Sequence, residues 1–395
     1  MRSNRRQFLQ SSAALGALYG LHTLGAPWIR DAFATPWQDA AITELMLRHQ
    51  PMAAEKAEEP MKILVLGGTA FLGPACVELL RARGHEVTLF NRGRTNAHLY
   101  PDLEQIHGDR RDGHEALAGR KWDVVLDTSA YYPRVVNGAM DVLAGNVDHY
   151  VLISTVSVYS RFDERGIDED FPVGTIEDET TEDITGESYG PLKALCERAA
   201  YDRMPGRVTV VRPGLIVGPM DRTDRFTYWP VRVERGGEVL APNSPDQGIQ
   251  VVDVRDLAAF ITKCSEEKVA GTYNATSDPE RFTIGDLLDT SKQISGSDAT
   301  FTWVSPEFLE EQEVAAWSEM PVWMPPTGEY AGFDAIDVSR AVAKGLTFRP
   351  LAKTVEATLD WWHSMPESTD GPRAELRAGI AAEKEATVLA AWKAR

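Results

Sequence analysis

The sequence predicts an α/β fold on a parallel sheet, from two observations. Lys62 to Leu66 (Lys-Ile-Leu-Val-Leu) is a short apolar run of the kind buried on both faces of such a sheet. It enters a glycine turn, Gly67-Gly68-Thr69-Ala70-Phe71-Leu72-Gly73, then a helical pattern through Val77, Leu79 and Leu80 that stops at Gly84. Of 395 residues, 43% are apolar and 25% charged, an ordinary globular composition. With 41 basic and 59 acidic residues the formal charge is −18, which argues against a nucleic-acid surface. Three dispersed cysteines, Cys76, Cys196 and Cys264, form no disulfide framework or zinc cluster, so no metal is expected and they read as buried thiols.

The first sixty residues read as targeting and linker. Arg5-Arg6 before Phe8-Leu9, a modest apolar stretch and Ala32-Phe33-Ala34 resemble a twin-arginine export signal over residues 1–34. Residues 35–60 read as linker or a short surface helix. Met61 directly precedes the first strand, so translation from Met61, giving a cytoplasmic chain, is the alternative to export. No later stretch is apolar enough to span a membrane.

Strand, glycine turn and helix together make a dinucleotide site. Glycines let the backbone approach a pyrophosphate, and the helix N-terminus offers free N–H groups and partial positive charge. The expected contacts in the turn are Gly67, Gly68, Thr69, Phe71, Leu72 and Gly73, with Ala70 where a middle glycine usually stands. The second strand, Glu86 to Phe90, is followed by Asn91-Arg92-Gly93-Arg94 rather than by the acid that holds ribose hydroxyls for NAD. Arg92 suits a 2′-phosphate, so NADP is favoured over NAD, with Asn91 beside it. A third strand ends across Ile106 to Arg110, bringing Asp109 and Arg110 to the nucleotide, with Asp109 toward the adenine. A fourth, Trp122 to Asp127, delivers Thr128, Ser129 and Ala130.

The fifth strand, Tyr150 to Ser154, leads into Thr155-Val156-Ser157-Val158-Tyr159. Tyr189-Gly190-Pro191-Leu192-Lys193 then opens a helix running through Cys196 and Ala200. A phenol with a pKa near 10 is a poor base at neutral pH. Lys193, one turn along the same face, stabilises its phenolate. A hydroxyl at Thr155, with Ser154 and Ser157 as rivals, holds a substrate oxygen while Tyr189 moves the proton.

These features, with Val211-Arg212-Pro213-Gly214, Gly218-Pro219 and Val252-Asp253-Val254-Arg255-Asp256, resemble the extended short-chain dehydrogenase/reductase family, the NAD-dependent epimerase/dehydratase group, over about residues 61–365. The resemblance implies a doubly wound (Rossmann) sheet with a smaller C-terminal α/β substrate domain. It carries over Thr155, Tyr189 and Lys193 as the catalytic residues and adds Pro213 to the cofactor contacts. The domains expected are 61–220 for nucleotide and catalysis, 221–365 for substrate with 251–262 returning to the first, and a C-terminal helix over 366–395 as oligomer contact or free surface element.

Two positions depart from nucleotide-sugar epimerases: Pro213-Gly214 and Gly248-Ile249-Gln250 stand where Asn and Arg usually hold the sugar nucleotide. Arg222, Arg225, Tyr228, Trp229 and Arg232 are instead expected to line a pocket for another hydroxylated compound, the alternative being a solvated loop with Trp229 as core, and Trp303, Trp317 and Trp323 are read as core or cap. Between Asp163 and Glu187 lie eleven acids and one arginine, a solvated loop or a flap beside the site.

The function expected is an NAD(P)-dependent enzyme acting on a secondary alcohol or ketone of a sugar-like or polyol small molecule. Outside the cytoplasm, with no replenished nicotinamide, a tightly retained cofactor and redox-neutral chemistry are favoured over net reduction. A homodimer is a further expectation. The alternatives are a cytosolic NADPH-dependent reductase of the isoflavone-reductase-like type and a non-catalytic nucleotide- or RNA-binding relative.

Overall fold

The computed structural model describes residues 39–365 and 376–395; the export signal expected over 1–34 lies outside them. In chain order the first strands are β1 (Lys62–Leu66), β2 (Glu86–Asn91), β3 (Glu104–His107), β4 (Trp122–Asp127), β5 (Val147–Ile153) and β6 (Val208–Pro213). Three small pairs follow: β7 (Leu215–Val217) with β10 (Val251–Asp253), β8 (Glu238–Pro242) with β13 (Thr300–Val304), and β9 (Gly248–Ile249) antiparallel to β12 (Phe282–Thr283). The late strand β11 (Gly271–Ala275) rejoins β6, completing a parallel sheet ordered β11-β6-β5-β4-β1-β2-β3. Strand order reverses between β1 and β4, the place where such sheets open a crevice at their carboxyl ends.

Period-two alternation explains why helices cover both faces. Ile63 and Val65 of β1 face one core with Val77 and Leu80 of α2 (Leu72–Arg83). Leu64 and Leu66 face another with Val136 and Met140 of α3 (Pro133–Leu143) and Cys196 and Ala200 of α4 (Tyr189–Arg203). These four of the five β1 side chains are fully buried, each worth roughly 1.5–3 kcal/mol of apolar burial. The three cysteines are buried and unbridged, and burial pushes the Cys196 thiol up to about 12.

The residues after β6 build a second body of apolar packing. Here α5 (Tyr228–Glu234), α7 (Ile284–Ser295) and α8 (Leu351–Ser364) enclose β8, with Trp229, Trp323, Leu287 and Val355 inside. Trp317 and Trp323 belong to this core, and Trp303 packs on its margin. The stretch 251–262 crosses back: β10 leads into α6 (Val254–Glu266), whose Leu257 and Ile261 join Ile63 and Val77.

Two expectations are corrected. Within 35–60 lies a helix, α1 (Asp39–Leu47), with Ile42, Leu45 and Met46 buried in the first core, so this part is neither linker nor surface helix. The Gln50 amide, just beyond it, donates to Arg255 O at 2.7 Å, and Arg48 pairs with Asp360. The C-terminal helix α9 spans Ala382–Lys393 and is no free surface element. Gly379 sits at φ 101° with its N–H on Ser318 O. Val388 and Leu389 enter the second core, while Glu385 accepts from Arg232 and from Leu240 N. No helix among the described residues is long and apolar enough to cross a membrane.

Candidate active site

A cleft of about 360 Å³ opens at the carboxyl ends of β1 and β4. Its first wall is the glycine turn, with Gly67, Gly68, Thr69, Phe71 and Leu72 on the surface. Gly67 and Gly68 hold φ of 113° and 92°, left-handed values that favour glycine. Gly73 does not line the cleft. It packs on the turn from behind, where a Cβ would meet the Gly68 carbonyl carbon at 2.5 Å, and so brings α2 against β1.

The second wall follows β2 and β3. Asn91 takes the Gly93 N–H on its side-chain oxygen at 2.7 Å, folding the chain so that Arg92 and Arg94 reach the cleft, both exposed. Asp109 also lines it and pairs with Arg111, whose hydrogen bonds hold the carboxyl down to about 2. Arg110 lines the cleft but turns inward, with Nη2 to Asp127 Oδ2 at 2.6 Å and Nη1 to Ser129 Oγ at 3.1 Å. The Tyr150 hydroxyl donates to the same buried carboxylate. Desolvation opposes the charge on Asp127, but Arg110 outweighs it and its pKa is lowered. Sequence reasoning left the Asp127–Tyr150 contact unread, although an acid ending an apolar strand was the signal for it.

The floor holds the hydroxyls and the lysine. Thr155 and Tyr189 both line the cleft, as do Thr128, Ser129 and Pro213. Gly190 lets the helix carrying Tyr189 press onto the Thr155 turn, since a Cβ there would meet Ser157 O at 2.0 Å. Thr155 Oγ1 accepts the Ser157 N–H and donates to Ser157 Oγ, both at 3.1 Å. Ser154 is used otherwise, donating to buried Glu197. Lys193 is buried, with Nζ donating to Ala130 O and Ile153 O at 2.6 Å each. Ala130 contributes this carbonyl but does not line the cleft. Burial pushes the ammonium pKa below the usual lysine range.

Among the substrate residues expected, Arg222 lines the cleft, but Arg225, Tyr228, Trp229 and Arg232 do not, and Trp229 takes its alternative place in the core. The Tyr228 and Trp229 rings lie in the second core at 2% and 0% exposure, edge to face at 4.9 Å, with Trp229 Nε1 donating to Pro321 O. Their apolar surface goes where Val231 and Val233 of the same helix go. Arg377, which sequence reasoning missed, also lines the cleft; a lone arginine far from every motif gave no signal. The acidic stretch 163–187 is mainly exposed, tied down by Glu182 on Arg134 and Glu179 on Arg198.

Residues 63–285 match the family model described as NAD dependent epimerase/dehydratase family. The chloroplast stem-loop binding protein of 41 kDa b of Arabidopsis thaliana is 27% identical over 241 residues, 56% of this chain and 60% of that protein, so the chain spans under two thirds of that relative. A 2-alkyl-3-oxoalkanoate reductase of Stenotrophomonas maltophilia is 34% identical over 189 residues, 41% of this chain and 53% of the reductase. The fold resembles UDP-glucuronic acid 4-epimerase of Bacillus cereus in complex with NAD, with TM-score 0.56, 18% identity and coverage of 76% and 98%. It equally resembles the Bordetella bronchiseptica enzyme WbmH in complex with NAD+, with TM-score 0.56, 18% identity and coverage of 78% and 100%.

Proposed function

The chain belongs to the NAD dependent epimerase/dehydratase family, and from that premise we propose that it is an NADP-preferring enzyme acting on a secondary alcohol or ketone of a small, sugar-like or polyol molecule. The observation carrying this reading is the shared cleft: Tyr189, Thr155 and Lys193 stand on the same cavity as the glycine turn. The residues present fit a nicotinamide dinucleotide. The left-handed glycines leave a cradle that a Cβ at Gly67 would obstruct, only 2.5 Å from Thr128 Oγ1. Arg92 and Arg94, with no acid closing β2, favour the 2′-phosphate of NADP.

When bound, the nicotinamide supplies or accepts hydride. The Thr155 hydroxyl orients the substrate oxygen, and Tyr189 gives or takes its proton. Lys193 keeps a positive charge near the phenol and favours its ionised form. Epimerisation, dehydration and reduction all use this arrangement. Export through residues 1–34 is part of the proposal, and it favours redox-neutral turnover on a retained cofactor. Similarity to a named reductase supports net reduction as the alternative for a chain kept in the cytoplasm.

The test is to denature the purified protein, identify the nucleotide released, and screen sugars, polyols and their ketones at the nicotinamide absorbance. Tyr189→Phe should lower turnover by about 10²–10⁴-fold while nucleotide affinity holds. The stem-loop binding relative motivates a second reading, binding without turnover; full biological activity in Tyr189→Phe would establish it.

A further inference from the structure

Among the described residues beyond 285, where the family match ends, the chain returns to the cleft at Arg377. Arg377 stands on the same wall as Asp221, Arg222 and Thr223, which follow β7. Its position is fixed by main-chain bonds: the Arg377 N–H donates to Asp224 Oδ2 at 3.0 Å and Nη1 donates to Arg222 O at 2.9 Å. Gly379 on Ser318 O, Ile380 in the second core and Glu385 on Arg232 anchor the residues that follow.

Three guanidiniums, Arg222, Arg225 and Arg377, meet two carboxylates, Asp221 and Asp224, in this corner. Both acids are occupied locally. Asp221 takes the Thr223 N–H and O–H at 2.8 Å, and Asp224 takes the Arg377 N–H. Burial raises both, Asp224 to about 6, so Asp224 still carries most of its charge at neutral pH, and among the described residues of this corner three guanidiniums face two carboxylates. Arg225 lies over the Trp317 ring and donates to Thr223 Oγ1. Burial, and then the charge of Arg377, push the Arg222 guanidinium down to about 10. Two mutually repelling guanidiniums on a cleft wall lose their repulsion when an oxyanion lies between them.

We propose that Arg222 and Arg377 form an oxyanion subsite, so that the substrate carries a carboxylate or phosphate group and the C-terminal segment sets specificity. This rests on the reading of the cleft as a substrate site given above. It adds a chemical class to that reading, an acidic sugar, a hydroxy or oxo acid, or a phosphate ester, and it assigns a role to a segment outside the family match.

The full chain, held in saturating NADP+ at fixed ionic strength, is titrated calorimetrically with malonate and separately with inorganic phosphate. Saturable binding of malonate alone assigns a carboxylate substrate, and of phosphate alone a phosphate ester. Binding should weaken at least tenfold in Arg377→Gln and Arg222→Gln and partly recover in Arg377→Lys. Because Arg377 is exposed, its variants should melt within a few degrees of the parent, which separates this loss from misfolding. No saturable binding of either anion, or equal binding in Arg377→Gln, overturns the subsite. NADPH fluorescence is read in parallel: a parent chain that binds malonate through Arg377 but not NADPH would sink the enzymatic reading and leave the subsite standing.

Discussion

Arg212 and Glu197 form a bidentate ion pair, Nε to Oε1 at 3.0 Å and Nη2 to Oε2 at 2.6 Å, with both side chains under a tenth exposed. The pair joins β6 to the middle of α4, one turn beyond Lys193, and Ser154 donates to the same carboxylate. Arg212 Nη1 also reaches the Tyr159 hydroxyl at 3.2 Å. Removing one partner leaves a buried charge uncompensated. Glu197→Ala should therefore cost about 3–5 kcal/mol of folding stability. Urea unfolding of this variant and of Arg212→Met with Glu197→Met is the check. The double variant should recover much of the loss; equal loss in both would show that the pair itself carries the stability.

Gly73 offers a steric test of the nucleotide turn. Its absent Cβ would stand 2.5 Å from main-chain carbon of Gly68, which no rotamer change relieves. Gly73→Ala should cost about 1–3 kcal/mol and weaken nucleotide binding by pushing α2 off β1. Thermal melting and NADPH titration read both effects, and an unchanged NADPH affinity would refute the placement of the cradle.

The proposed preference for NADP rests on the residues after β2. Replacing Arg92 and Arg94 together by Ser should lower NADPH affinity about tenfold or more while changing NADH affinity little. Fluorescence titration of the two nucleotides measures the ratio, and a ratio that does not move would return the preference to NAD.

Asp334 gives a pH dependence with a defined sign. Burial raises its carboxyl from 3.8 to about 8, opposed by a hydrogen bond from the backbone of Gln250 and by the Arg165 charge. The folded chain therefore keeps a proton that the unfolded chain releases, and stability falls as pH rises from about 4 to about 8. Asp334→Asn should flatten that slope and raise the melting temperature at pH 8 relative to the parent by about 2–4 °C or more. Parallel melts at pH 5 and pH 8 decide the matter.

The half of the molecule around the nucleotide cleft was legible because its signals are local. Alternation in Lys62–Leu66, the glycine turn and the Tyr189–Lys193 spacing each depend on neighbours within one or two turns. Strand ends moved by a few residues, with β3 at Glu104–His107 and β5 at Val147–Ile153, because edges are set by pairing with distant strands. The substrate wall was less legible. Tyr228 and Trp229 read as pocket aromatics, yet their surface is claimed by a core assembled from segments up to 160 residues away, such as Val388 and Leu389. Arg377 on the cleft and the burial of α1 went unread for the same reason: what places them there is a partner far along the chain.

The ammonium of Lys193 hangs from two main-chain oxygens, those of Ala130 and Ile153. Side-chain substitution cannot delete a main-chain oxygen; Ile153 closes β5, and Ala130 lies three residues beyond the end of β4. The ammonium of Lys193 is thus held in place by the backbone of the sheet and of the chain leaving it. On the proposed reading, the wall at Arg222 and Arg377 can be rewritten for another substrate while the lysine stays where that backbone holds it.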